Sequence, residues 1–296
     1  MNNKLSLRNF QSKYGTNDQC LEAVKKLRFP DEMECAKCKR MSVFYHIKGR
    51  TAYNCKFCNY QIYPLAGTIF EKTTTPLQYW FFAMYLMTQT RSGTSAKQLE
   101  RMLGVTYKTA WRMFKQIRLL MADEPSLLDG TVEIDETFVG GKGKNRATKP
   151  NFNMVPKEVV MGIVQREGKA YFKHIPNTGK WTLLQQIHEN VDQRAHIMTD
   201  EYNAYMTLPK LGFTHDAVRH SASQYVYGNV HTNTVEGFWS ILKRGVYGVY
   251  RVVSKKYLQA YVDEYAFRYN HRNNGFMFDT LLGKVAEVRL LQVPLA

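Results

Sequence analysis

No apolar run in this chain approaches the roughly 18 residues of a bilayer-spanning helix. The opening stretch, MNNKLSLRNFQSKYG, lacks the hydrophobic segment of a secretory signal. The chain is therefore expected to be soluble and cytoplasmic, with no membrane partner. Acidic residues are also scarce: 25 Asp and Glu face 41 Lys and Arg, a net charge of +16. Residues 1–130 hold 20 basic residues against 10 acidic ones, and residues 131–296 hold 21 against 15. A chain this basic points to a polyanionic partner, most simply nucleic acid, and so to the nucleoid. Cysteines number only five, too few for a disulfide scaffold. What is present suffices for a folded protein of about two domains: 296 residues, 44% of them hydrophobic.

Four of the five cysteines fall in two pairs, "CAKC" (Cys35, Cys38) and "CKFC" (Cys55, Cys58), with a hairpin-like segment and Gly49 between them. Two such knuckles bring four thiolates around one tetrahedral, structural Zn²⁺, the layout of a zinc ribbon. The alternative, two redox CxxC pairs, needs a helix start in a βαβ setting that the flanking residues do not offer. His46 is a spare ligand type, but four cysteines already suffice. The basic neighbours Lys37, Lys39, Arg40, Lys48, Arg50 and Lys56 make DNA the expected partner of the ribbon. Cys20 reads as an ordinary buried thiol.

Residues 92–121, "SGTSAKQLERMLGVTYKTAWRMFKQIRLLM", read as a helix-turn-helix. Ser95 and Gln98 match a capping box. Ala96, Leu99, Met102 and Leu103 form one apolar face, Gly104-Val105-Thr106 the turn, and Ala110, Trp111, Phe114, Ile117 and Met121 the inward face of the second helix. Tyr107, Lys108 and Thr109 then sit where a recognition helix meets DNA, with Arg112, Lys115 and Arg118 continuing the basic side. The plainer alternative is a helical hairpin with a solvated basic face. The preceding "LQYWFFAMYLMT" (77–88), apolar all round, reads as a buried supporting helix.

From residue 131 the pattern becomes α/β, with strands expected at 131–139, 158–166, 170–175 and 195–199 and a helix at 180–192. The first strand, in "GTVEIDETFVGGKGKNR", carries Glu133, Asp135 and Glu136, an expensive content for a core strand without a reason. Asp200 follows a later strand, at the carboxyl edge where α/β sheets place functional groups. Along "VHTNTVEGFWSILKRG" (230–245), Val235, Phe238, Trp239 and Leu242 form an apolar stripe, and Asn233, Glu236, Ser240 and Lys243 share the opposite face.

Asp135, Asp200 and Glu236, with 35 residues between the last two and Lys243 two turns on, resemble the DDE triad of transposases and retroviral-type integrases. The whole chain resembles bacterial insertion-sequence transposases related to the eukaryotic Merlin elements. The matching segments are "GTIFEKTTTPLQYW", "LGVTYKTAWRMFKQIR", "EIDETFVGGK", "HTNTVEGFWSILKRGVYGVY" and "YVDEYAFRYNHR". The resemblance implies a multidomain chain: a zinc ribbon with an N-terminal helix (1–72), a helix-turn-helix region (73–123), an α/β RNase H-like catalytic domain (124–275) and a C-terminal tail (276–296). It implies a DNA transposase that binds the terminal inverted repeats of its element and performs metal-dependent cleavage and strand transfer. Its partners are then double-stranded DNA, as element ends and target, and at least one further copy of itself.

The chemistry fits the carboxylates. Two Mg²⁺ or Mn²⁺ ions about 3.5–4 Å apart activate a nucleophile and stabilise a leaving 3′-oxygen, and hard cations take carboxylate oxygens, here from Asp135, Asp200 and Glu236. Lys243 is expected to hold the DNA end, and Lys142, Lys144, Arg146, Asn233 and Arg244 to contact DNA as well. Asn233 rivals Glu236 for the third ligand position; Asp263 and Glu264 are weaker rivals. Glu133 and Glu136 are read as solvated or salt-bridged, Glu201 as a helix-start carboxylate, His231 as a DNA contact or helix cap, and Tyr225 and Trp239 as packing residues. Two other functions compete: a catalytically inactive DNA-binding regulator, and a structure-selective nuclease of the same fold.

Overall fold

The computed structural model describes residues 5–123, 126–140, 157–218 and 231–287. They fall into two compact units, one drawn from residues 1–90, 96–120 and 274–296, the other from 91–95 and 121–273.

The first unit opens with two capped helices. Ser6 caps α1 (Leu7–Tyr14), and Thr16 with Gln19 closes a full capping box on α2 (Asn17–Arg28), satisfying amide groups a helix start leaves free. Four short strands follow: β1 (Glu32–Glu34), β2 (Met41–His46), β3 (Tyr53–Cys55) and β4 (Gln61–Ile62). They pair antiparallel in chain order, with Gly49 in the left-handed region (φ 75°) between β2 and β3. Helix α3 (Leu77–Gln89) buries Leu77, Trp80, Phe81, Ala83, Met84 and Met87, as its all-round apolar sequence requires. Helices α4 (Ala96–Leu103) and α5 (Tyr107–Met121) flank Gly104, whose φ of 66° suits glycine. Helix α9 (Met277–Glu287), the last described segment, packs on α2 and α3, its Phe278 ring meeting Phe10, Tyr14 and Phe81.

The inward faces of α4 and α5 differ from the expected ones. Met102 is exposed, Met113 and Leu120 are buried, and Arg118 is buried instead of extending the basic side. The Arg118 guanidinium lies over the Phe114 ring at 5.6 Å, so its charge is set against an aromatic face rather than solvent.

The second unit is a five-stranded mixed sheet. Its strands are β5 (Thr131–Val139), β6 (Glu158–Gln165), β7 (Ala170–Ile175), β8 (His196–Asp200) and β9 (Thr214–Val218), in the order β7-β6-β5-β8-β9. The first three pair antiparallel, and β8 and β9 run parallel to β5. Four strands lie within a residue of their expected bounds. β9 was not expected: its THDAV alternates exposed and half-buried residues and reads as loop. Helix α6 (Lys180–Asn190) covers one face, where Val132, Ile134, Ile163 and Ile197 meet Leu183 and Ile187. Helices α7 (Asn233–Arg244) and α8 (Lys255–Asn270) cover the other, where Val160, Val164 and Phe172 meet Phe238, Trp239, Leu242 and Val262. The alternation of β5 therefore sends Val132 and Ile134 to α6 and residues 133, 135, 137 and 139 to α7. Among the described residues no helix is long and apolar enough to cross a membrane.

Candidate metal centre and carboxylate cluster

The two knuckles are built alike. Each places the residue after its second cysteine in the left-handed region, Lys39 and Asn59, both at φ 58°. Each bonds that residue's amide back to the first cysteine's carbonyl, Lys39 to Cys35 at 2.8 Å and Asn59 to Cys55 at 3.2 Å. The four sulfurs of Cys35, Cys38, Cys55 and Cys58 lie within 4.8 Å of one another, with Cys35–Cys58 at 3.6 Å and Cys38–Cys55 at 3.9 Å. A tetrahedral Zn²⁺ with Zn–S bonds near 2.3 Å needs edges of about 3.8 Å, so the donor set fits zinc. The Ser42 hydroxyl (3.2 Å) and the Phe57 amide (3.5 Å) meet the Cys55 sulfur, a second layer that orients it. His46 is engaged elsewhere, its Nε2 2.8 Å from the Arg50 carbonyl. Lys37, Lys39, Arg40, Lys48, Arg50 and Lys56 are all exposed, and Arg40 and Lys56 lie over the Phe57 ring.

At the start of α5, Tyr107, Lys108 and Arg112 are exposed and Thr109 and Lys115 half-buried. The Thr109 amide donates to the Thr106 hydroxyl (3.3 Å), so Thr106 caps the helix. Lys115 lies over the Trp111 ring at 5.6 Å. Lys142, Lys144, Arg146 and Tyr225 lie outside the described residues.

In the second unit the three carboxylates of β5 meet three environments. Asp135 points towards α7, where the Trp239 indole N–H donates to its Oδ2 at 2.8 Å. Burial, with the charges of Asp200 and Glu236 adding to it, pushes its carboxyl up to about 6 against the hydrogen bonds from Trp239 and the Glu136 amide. Asp200 ends β8. The β5–β8 pairing ends at Glu133 with Met198, and two residues on along both strands come Asp135 and Asp200. The Asp200 Oδ1 accepts the Tyr202 amide at 3.0 Å. Glu236 stands exposed in the first turn of α7 beside exposed Asn233, Ser240 and Lys243, the face the 3.6-residue period predicts. Its Oε1 accepts from the Thr232 hydroxyl at 3.2 Å. Exposed Arg244 closes the helix, its Nε donating to the Ser240 carbonyl. Three carboxylates far apart in the chain thus come near enough for Asp135 to feel the charges of Asp200 and Glu236. They are more loosely grouped than the cysteines, which are the one set of three or more close metal-ligand types among the described residues.

Glu136 departs from expectation, and Glu133 meets it in an unanticipated setting. Glu136 is neither solvated nor salt-bridged: it is half-buried, its Oε1 finds no hydrogen-bond donor among the described residues, and burial with the charges of Asp135 and Asp200 raises it to about 8. Glu133 is salt-bridged to Arg166 (2.7 Å) but fully buried, and it also accepts from the first residues of α7. The Glu133 environment is not visible locally, because its donors on α7 come from about a hundred positions away. His231 neither caps the helix nor faces solvent freely; its Nδ1 lies 3.2 Å from Glu133. Glu201 opens no helix, the next helical turn starting at Tyr205. The rivals in α8 are occupied: buried Glu264 pairs with Arg268 and accepts from the Tyr250 hydroxyl, and Asp263 accepts from Gln259.

Comparison with known proteins agrees with this layout. Residues 127–270 match the ISXO2-like transposase domain, and residues 15–61 match the transposase zinc-ribbon domain. An uncharacterized protein of the transposable element ISH50 from Halobacterium salinarum is 30% identical over 264 residues, covering 83% of this chain and 88% of that protein. Two solved structures are more distant. A chain of the simian T-cell lymphotropic virus intasome bound to the PP2A regulatory subunit B56 gamma is 12% identical, TM-score 0.30, over 63% of this chain and 64% of that one. A chain of a pre-cleavage Mos1 transpososome is 11% identical, TM-score 0.29, over 73% and 81%. With its zinc ribbon ahead of its α/β domain, the chain belongs to the family of ISXO2-like transposases.

Proposed function

We propose that this transposase binds the terminal inverted repeats of its element through the ribbon and a helix-turn-helix formed by α4 and α5. It cuts and joins DNA at a two-metal centre of Asp135, Asp200 and Glu236 on an RNase H-like domain. The observation that carries the proposal is Asp135: a half-buried carboxylate on the central strand, pressed by the charges of Asp200 and Glu236. Mutually repelling carboxylates at one sheet end are costly unless cations offset them. Glu136 beside them is raised to about 8 by burial and by the charges of Asp135 and Asp200. A donor set made of carboxylate oxygens suits Mg²⁺ or Mn²⁺. Such a pair, when bound, supplies an activated nucleophile and charge stabilisation for the leaving oxygen.

The chain's own groups do the rest. Trp239 holds the Asp135 carboxylate through its Oδ2. Thr232 restrains Glu236 through its Oε1. Lys243, exposed on the face of Glu236, holds the phosphate of a DNA end but, as an ammonium, is no metal ligand. Tyr107, Lys108, Arg112 and Lys115 present a basic helix start to the element end, and Asn233 and Arg244 flank the centre as DNA contacts. Pairing two element ends calls for at least a dimer in the active complex.

The test is incubation of the full-length chain with terminal-repeat DNA, a target plasmid and Mg²⁺, scoring cleaved and joined products. Asp135→Asn, Asp200→Asn and Glu236→Gln should each bind ends as wild type and abolish both steps. Wild-type joining by any of the three removes that residue from the centre. An active Glu236→Gln with a dead Asn233→Ala moves the third ligand one helical turn back.

A further inference from the structure

We infer that Glu133 is a positioning residue: its buried carboxylate sets the register of α7 against β5, and so where Glu236 stands relative to Asp135. The inference rests on the reading of Asp135, Asp200 and Glu236 as the metal centre.

A helix start leaves backbone amides without partners and carries partial positive charge. Thr232, the residue before α7, makes no side-chain cap bond to those amides. Glu133 supplies the cap from another element. Its Oε2 accepts the amides of Thr234 at 2.7 Å and Val235 at 3.1 Å, and its Oε1 accepts the Thr234 hydroxyl at 2.8 Å. Arg166 neutralises the carboxylate at 2.7 Å and donates a second bond, 2.9 Å, to the His231 carbonyl just before the helix. A carboxylate with no solvent exposure and this many donors has one low-energy placement, because each lost bond leaves a buried polar group unpaired.

One contact would still let the helix pivot. The second is Trp239 to Asp135. Glu133 and Asp135 are two residues apart on one face of β5, about 6.7 Å; Val235 and Trp239 are four residues apart on α7, about 6.0 Å. The spacings match, so helix and strand are pinned at two points with Glu236 beside the first. A one-residue slip would move α7 by about 1.5 Å and turn it by about 100°, carrying Glu236 off the Asp135 side. Misplacements of that size defeat catalytic geometry.

The experiment uses full-length Glu133→Gln, which keeps the shape, loses the charge and turns one acceptor into a donor. Amide hydrogen exchange at Thr234 and Val235 should quicken at least tenfold. Mn²⁺ affinity of the DNA-free protein, read by electron paramagnetic resonance, should fall about 10–100-fold, and end cleavage should recover in part at high Mn²⁺. Glu236→Gln, the control, should keep the exchange protection yet stay inactive at every Mn²⁺ concentration. Wild-type protection and Mn²⁺ dependence in Glu133→Gln overturn the positioning role while the metal centre stands. Wild-type cleavage by Glu236→Gln overturns the centre itself, and the positioning role with it. If Glu133→Gln does not fold, Thr234→Ala removes a single donor and should shift both readouts the same way, at least threefold; no shift overturns the role.

Discussion

Trp239, on α7, donates its indole N–H to Asp135 Oδ2, on β5, across a separation of 104 residues in the chain. Trp239→Phe would keep an aromatic ring edge-on to Phe172 and Phe238 but lose the N–H and part of the indole's volume. The variant should lose about 1–2 kcal/mol of stability and about tenfold in end cleavage, with end binding unchanged. A thermal melt, a mobility-shift titration and a cleavage time course read the three. Wild-type cleavage would show that the bond does not hold Asp135 for its task.

Gly162 is paired with Asp135 across β5 and β6, and a Cβ there would stand 2.8 Å from the Trp239 ring and 2.9 Å from Phe172. The glycine leaves the space into which the indole lies. Gly162→Ala should destabilise the second unit by about 1–3 kcal/mol, as overpacking does, and depress cleavage by displacing Trp239. Stability and cleavage both at wild-type level would mean that the ring yields without cost.

The ribbon should hold one zinc ion. Cys35→Ser or Cys55→Ser should lose it and unfold β1 to β4, because a structural zinc supplies much of the folding energy of so small a sheet. The second unit, with its own two cores, should keep its thermal transition. Elemental analysis finding no zinc in the wild-type protein is the outcome that rejects the site.

Lys108 and Arg112 are exposed at the start of α5. Replacing both by Ala should weaken binding to element ends and reduce the slope of log K against log salt by about 1.8, the share of two phosphate contacts. An unchanged slope would free α5 from the DNA interface.

Glu158, at the start of β6, accepts from His174 at 2.8 Å and lies 3.1 Å from the Lys255 ammonium. Burial works against its charge, but the bonds from His174 and Lys255 win and hold its carboxyl below the usual range. A folded-state pKa below the unfolded one gives stability that is full above the unfolded value, about 4.3, and lost as pH falls through the folded one. Glu158→Gln should therefore melt lower than wild type at pH 7, with the gap closing as pH drops below about 4. A gap that stays constant to pH 3 would place the effect in packing, not charge.

Much of this was legible in the chain itself. The cysteine knuckles are local: two residues between ligands and a tight turn after each are properties of short segments, readable without partners. The exposed face of α7 that carries Asn233, Glu236, Ser240 and Lys243 follows from a 3.6-residue period, and β5 to β8 announce themselves by β-branched runs. What periodicity cannot report is the identity of a partner. Glu133 and Asp135 share one face of one strand, yet one is sealed beneath the start of α7 and the other is only half-buried. That difference is decided by Thr234, Val235 and Trp239, brought from about a hundred residues away. β9 escaped because it forms an edge whose side chains stay partly in water, so its pairing with β8 rests on backbone bonds that no side-chain pattern records. The burial of Arg118 and the return of α9 to α2 and α3 likewise depend on which apolar surfaces meet. Local chemistry was determined by the sequence alone; the burial that turns one carboxylate into a clamp and leaves its neighbour half-buried against Trp239 arose only when the chain closed on itself.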